Sequence, residues 1–133
     1  MLPPTRREAR ERALSLLYEA ESKRVAPGDV LSDLPVEPDP FVADVVVGVG
    51  RELQRIDALI SAHAIGWELD RMPVVDRALL RIATYELIGR PDVPTAVVIS
   101  EAVDLAGQYS TDDSGRFLNG VLAAIASEVR QDR

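Results

Sequence analysis

Cysteine is absent from this 133-residue chain, and histidine occurs once, as His63. Without thiols there is no disulfide scaffold, no thiolate zinc or iron–sulfur site and no thiol nucleophile, and a lone imidazole excludes a histidine-rich metal site. Aromatic residues are scarce, with one Trp, three Tyr and two Phe. The 47% apolar fraction must therefore build its core from Leu, Val, Ile and Ala, which suits interdigitating helices better than an aromatic-rich sandwich and predicts an all-α fold. No apolar run approaches the ~18 residues that span a bilayer. The start, MLPPTRREARER, lacks the apolar stretch of a signal peptide, so the expected location is the cytoplasm, with no membrane partner. Positive charge is also in deficit, at 15 Lys+Arg against 22 Asp+Glu and a net charge of −7, so any affinity for nucleic acid has to sit on a local basic patch. The length predicts a single domain over residues 1–133.

Periodicity sets the elements. Thr5 caps a predicted amphipathic helix over 5–23, with Ala9, Ala13, Leu16, Leu17 and Ala20 recurring on one face. Prolines 27, 35, 38 and 40 mark residues 25–40 as a connector with a short helical turn around Val30–Leu34. Asp39-Pro40 reads as a cap and first-turn proline, opening a predicted helix of some two dozen residues from Phe41 to Ala64, weakened or kinked at Gly48 and Gly50. A linker holding Trp67 ends at Met72-Pro73; further helices carry Val75 to Leu87 and Val98 to Ala106. The last follows Thr111-Asp112-Asp113-Ser114, an acidic capping cluster, and ends in the polar tail Glu128–Arg133.

Chemistry has few footholds. Arg6, Arg7, Arg10 and Arg12 fall within seven residues, diluted by Glu8 and Glu11, and Arg6, Arg10, Leu14 and Tyr18 recur every fourth position as a drifting stripe. Guanidinium groups neutralise phosphates and a phenol stacks on an unpaired base, the combination that single-stranded RNA requires. Taken alone, the run fits a solvated helix face laced with Glu–Arg pairs better than an RNA site. His63 has no nucleophile at motif spacing, no phosphate-cradling glycine loop or nucleophile elbow occurs, and no catalysis, cofactor or metal is expected.

Four segments carry a resemblance. RREARERALSLLYEAE, WELDRMPVVDRALLRIATYEL, DVPTAVVISEAVDLA and STDDSGRFLNGVLAAI, in that order over nearly the whole chain, closely resemble the NusB family of bacterial transcription antitermination factors. The resemblance implies about seven helices in two small helical subdomains. It implies pairing with the ribosomal protein called NusE in transcription, and joint binding to the single-stranded boxA element of nascent ribosomal RNA. NusA, NusG and RNA polymerase are the implied partners of the larger complex. Carried over motif by motif, it implies RNA contacts at Arg6, Arg7 and Arg10, with Tyr18 beside them, and at Asp113 and Phe117, the ring stacking on a base. Asp70 and Asp76 match acidic positions at or near the RNA and NusE surfaces. Some relatives self-associate, leaving monomer and homodimer both open.

Glu8, Glu11, the uncharged Leu2 to Pro4, and Gly107 and Ser110 depart from the usual pattern and temper the expected affinity of the isolated chain. Two alternatives stand beside this reading. One is a helical protein-docking module. The other is the detached RNA-binding domain of an rRNA cytosine methyltransferase, whose catalytic domain and cysteine this chain lacks.

Overall fold

The computed structural model describes residues 2–130, and the expectation for the tail falls partly outside them, at residues 131–133. Its regular structure is entirely helical: α1 Arg6–Lys23, α2 Pro27–Ser32, α3 Pro40–Arg51, α4 Leu53–His63, a 3-10 turn Leu69–Arg71, α5 Val74–Gly89, α6 Thr95–Tyr109 and α7 Ser114–Val129. None of these helices is long and apolar enough to cross a membrane.

Local chemistry accounts for the boundaries. At the start of α1, Thr5 Oγ1 accepts from the Glu8 amide at 3.0 Å while Glu8 Oε1 accepts from the Thr5 amide at 2.9 Å, a reciprocal capping box. The helix closes at Arg24, whose left-handed backbone (φ 58°) returns its amide to the carbonyls of Ala20 and Glu21. The connector's helical turn forms earlier than predicted, because Pro27 supplies the pre-set first-turn φ of α2. Asp39 caps α3 as expected, accepting from the Phe41 amide at 3.0 Å.

The predicted long helix over 41–64 is two helices. The break falls at Glu52 (φ −102°, ψ 18°), not at a glycine. Periodicity cannot register it: the Glu52 amide closes α3 on the Gly48 carbonyl and its carbonyl opens α4 by accepting the Ile56 amide, while the apolar recurrence continues across the joint. The reorientation lets α3 pack on α1, α2 and α5, while α4 packs on α5 and α7. Gly48 serves a different purpose from a kink. A Cβ there would drive into the Tyr85 ring, so the glycine is the slot that admits this buried aromatic.

Helix α5 is the hub, packing against α1, α3, α4, α6 and α7. Leu79, Leu80, Leu105, Leu118, Leu122 and Ile125 are among the side chains that it and its neighbours bury almost completely. At the far end of the chain the Arg130 guanidinium donates to the carbonyls of Glu86, Leu87, Arg90 and Val93. These include acceptors that the end of α5 leaves without helical donors, so the α5–α6 connection is fixed from α7. Helices α6 and α7 form a hairpin whose short turn, residues 110–113, lies beside the start of α5 and sets the geometry of the candidate site.

Candidate nucleic-acid interface

The fourfold stripe on α1 does not remain on one face. Four residues turn a helix about 40° beyond a full revolution, so the stripe leaves solvent at Arg6, crosses the protein-facing side at Arg10 and Leu14, and emerges at Tyr18. Arg10 is 3% exposed and Tyr18 51%. The expectation that Arg10 contacts RNA phosphates is corrected accordingly. Its Nε and Nη2 donate to the two Glu86 carboxylate oxygens at 2.9 and 2.7 Å, in a pair sealed between α1 and α5. Burial requires such pairing, since an isolated guanidinium inside the fold loses its hydration without compensation.

The other arginines divide in the same way. Arg7 reaches α6, where it donates to both Glu101 oxygens at 2.6 and 2.8 Å and to Asp104 at 3.1 Å, so its charge is already committed. Those bonds hold the Glu101 carboxyl below the usual glutamate range, outweighing the opposing effect of burial. A group depressed in the folded state adds stability above its unfolded pKa and loses that contribution as pH falls through the folded value. Glu101→Gln is therefore expected to lower stability at neutral pH by at most about 1 kcal/mol, as for a partly solvated pair, with the difference vanishing in acid below the depressed pKa. Urea midpoints of both proteins across an acid pH series check this, and a constant difference down that series contradicts it.

Arg6 is exposed, with its guanidinium 4.2 Å from the centroid of the buried Phe41 ring, which also faces Arg10 at 5.3 Å and Arg90 at 5.0 Å. Arg12 is exposed and has no carboxylate partner among the described residues. Within the arginine run, Arg6 and Arg12, rather than Arg7 and Arg10, face solvent without an acidic partner among the described residues.

A groove of about 450 Å³ opens where the Trp67–Pro73 segment, the first turn of α5 and the start of α7 meet, lined by Trp67, Met72, Pro73, Asp76, Asp113, Arg116 and Phe117 among others. Two consecutive residues of α5 fasten its walls. Asp76, placed at a partner surface by the sequence, is instead 3% exposed and is corrected to an internal acceptor. Its carboxylate takes hydrogen bonds from Ser110 at 2.5 Å and from Ser114 at 2.8 Å, pinning the α6–α7 turn. Arg77 holds the opposite wall, donating to the carbonyls of Leu69 at 2.8 Å and Met72 at 3.1 Å while forking Glu21 of α1. The expected acidic cap is also corrected. Asp113 sits at the N-cap position in helical conformation (φ −81°, ψ −16°) and its side chain caps nothing. Ser114 Oγ accepts the Thr111 amide instead, at 3.4 Å. Asp113 is thereby left exposed, as is Asp70 on the 3-10 turn.

Helix α1 is tied to the end of α6 by Tyr109, whose hydroxyl donates to Glu11 at 2.8 Å, one residue before the turn that leads past the groove into α7. The structure thus places Arg6, Tyr18, Asp113 and Phe117 on accessible parts of linked elements, with Phe117 half-buried, and withdraws Arg10 and Asp76. Sequence reasoning overlooked Trp67 and Arg116. Trp67 was read as a linker residue, yet it is 54% exposed and its ring centroid lies 5.6 Å from that of Phe117. Its signal was available: a chain with a single tryptophan had spent it outside every apolar helical face.

Fold and surface together define a small all-α protein whose helices α1, α3, α4, α6 and α7 share α5, with exposed Arg6, Arg12 and Tyr18 on α1 and Trp67, Arg116 and Phe117 at the groove beside the α6–α7 turn. No group of side chains able to hold a metal ion occurs among the described residues. The NusB family model matches residues 7–127, and the chain belongs to the NusB family. A transcription antitermination protein NusB from Kineococcus radiotolerans is 50% identical over 125 residues, covering 91% of this chain and 92% of its own length. Another from Salinispora tropica is 50% identical over 130 residues, covering 92% and 96%. Among solved structures, T. maritima NusB superposes with a TM-score of 0.87 at 34% identity, covering 98% of this chain and 96% of its own. A crystal structure of the antitermination factors NusB and NusE in complex with dsRNA gives a TM-score of 0.78 at 28% identity, covering 92% and 96%.

Proposed function

We propose that this chain is a transcription antitermination factor that pairs with NusE, binds the single-stranded boxA element of nascent ribosomal RNA, and helps assemble the antitermination complex with NusA, NusG and RNA polymerase in the cytoplasm. It acts as one RNA-binding domain over residues 1–133 and carries out no chemistry of its own. The observation that carries the reading is the placement of Arg6, Arg12 and Tyr18 on the exposed side of α1 and of Trp67, Arg116 and Phe117 around one groove, two surfaces linked by the Tyr109–Glu11 hydrogen bond, on a chain that is otherwise acidic. Cations without acidic partners are the ones that release counterions from phosphates, and exposed rings are the ones that stack on bases. Antitermination naming among relatives half identical over most of their length favours this reading over a docking module or a methyltransferase fragment. Arg7 and Arg10 leave the proposed phosphate contacts; Arg12 and Arg116 replace them. Asp70 remains as the acidic contact for NusE.

Arg6, Arg12 and Arg116 are few cations for a phosphate backbone, so NusE is assigned the rest of the basic surface. A titration of labelled boxA RNA with and without NusE, at two salt concentrations, tests this. The heterodimer is expected to bind much more tightly than either protein alone. These three arginines should contribute about −2 to the slope of log K against log salt on single-stranded RNA, and Arg6→Ala, Arg12→Ala and Arg116→Ala together should remove that share. Equal binding of boxA and an unrelated sequence, or no gain from NusE, contradicts the proposal. Sedimentation of the free chain, with and without RNA, decides whether a homodimer competes for the same surface.

A further inference from the structure

We propose that Trp67, rather than Phe117, presents the face on which one unpaired RNA base stacks, with Phe117 bracing the indole and Arg116 at the groove rim taking a phosphate; this rests on the RNA-binding reading above. The two rings are already in direct contact range at 5.6 Å between centroids and inclined at 55°, so no base fits between them. One ring must then offer an outer face. Phe117 is half-buried against the core, whereas Trp67 keeps 54% of its surface in water. That exposure is held in place. Gly66 adopts φ +84°, a turn that side chains rarely tolerate, and the Trp67 amide donates to the Ala64 carbonyl at 3.0 Å. Arg77 fixes the next turn through Leu69 and Met72. A pre-organised aromatic face loses little entropy on binding, which is what a stacking platform needs.

Charge selects the occupant. Arg116 is exposed at the same groove and has no carboxylate partner among the described residues, and Asp113 beside it offers acceptors to a base edge. A flat π-face with a free guanidinium and a hydrogen-bond acceptor next to it matches a nucleotide in a single strand.

Trp67 is the only tryptophan of the chain and reports on its own site. Full-length protein with NusE is titrated with a single-stranded boxA oligonucleotide while indole emission and the anisotropy of the labelled RNA are followed together, with Trp67→Phe supplying the emission blank. Emission is expected to fall saturably over the concentrations at which anisotropy rises. Trp67→Ala should weaken RNA binding about tenfold, within the range of one base–aromatic stack, and Trp67→Phe much less. Phe117→Ala should weaken the wild-type protein but have little further effect in the Trp67→Ala background, since a brace matters only while it has something to hold. Circular dichroism confirms the helical content of each variant, and the emission change of the wild-type protein carries the test if Trp67→Ala fails to fold. RNA binding without an emission change, wild-type affinity in Trp67→Ala, or additive losses in the double variant overturns the assignment and leaves the RNA-binding reading standing. A loss confined to NusE affinity assigns the ring to the protein partner and likewise overturns it. No RNA binding by the wild-type heterodimer defeats both readings.

Discussion

Replacing Arg10 by alanine is expected to cost about 3–5 kcal/mol of folding stability, the range for removing one member of a buried ion pair. Arg10 and Glu86 are 3% and 1% exposed and are joined by two parallel hydrogen bonds. Deleting the guanidinium leaves the Glu86 carboxylate inside the protein with its main partner gone. Arg10 also lies 5.3 Å from the Phe41 ring, so the substitution opens space beside a buried aromatic. The total stability of a small domain is about 5–15 kcal/mol, so the variant should be partly unfolded under conditions where the parent is intact. Equilibrium urea unfolding reads this as a lower midpoint at similar slope.

This differs sharply from what the sequence alone suggests for Arg10, namely a fully folded variant with weaker RNA binding and a shallower salt dependence. At temperatures where Arg10→Ala remains folded, its salt dependence should match that of the parent. Exchanging both partners for apolar residues, Arg10→Met with Glu86→Leu, should recover most of the loss, because the cost lies in the uncompensated charge more than in the missing pair. A parental midpoint in the single variant would falsify this account.

Gly48→Ala is expected to destabilise by about 1–3 kcal/mol, as overpacking a filled core does. One added methyl group is enough because of what surrounds it. The Cβ would sit 2.8 Å from Tyr85 Cδ1 and closer still to two other ring carbons. The ring has little freedom to retreat. Its hydroxyl donates to Asp44 at 2.8 Å, and a Cβ built on Gly89 would also fall within 2.7 Å of it. Gly28→Ala in α2 is the matched control, since its Cβ meets nothing within 4 Å and its backbone is helical. That substitution should be neutral or slightly stabilising, as helix propensity gives. Thermal unfolding of the two variants side by side separates packing from propensity, and equal midpoints would remove Tyr85 from the explanation.

Much of the fold is legible in the chain because its signals are local. Thr5 with Glu8, Asp39 with Pro40, and the three- and four-residue recurrence of Leu, Val and Ala act within a turn or two, where sequence distance equals spatial distance. The break at Glu52 was not legible, because the same apolar recurrence runs across it and the change of direction arises from where α3 and α4 find their neighbours.

For the interface the division is sharper. Composition and motifs determined an all-α member of the NusB family, with arginines on its first helix and a phenylalanine opening its last. Which of those arginines meets solvent depended on Glu86 and Glu101, lying 76 and 94 residues away along the chain. The same holds for Asp76, turned inward by Ser110 and Ser114, and for Trp67, raised beside Phe117. A side chain's type is written locally, but its desolvation and its partners are set by elements distant in sequence, and those decide whether a charge binds another molecule or holds its own fold together.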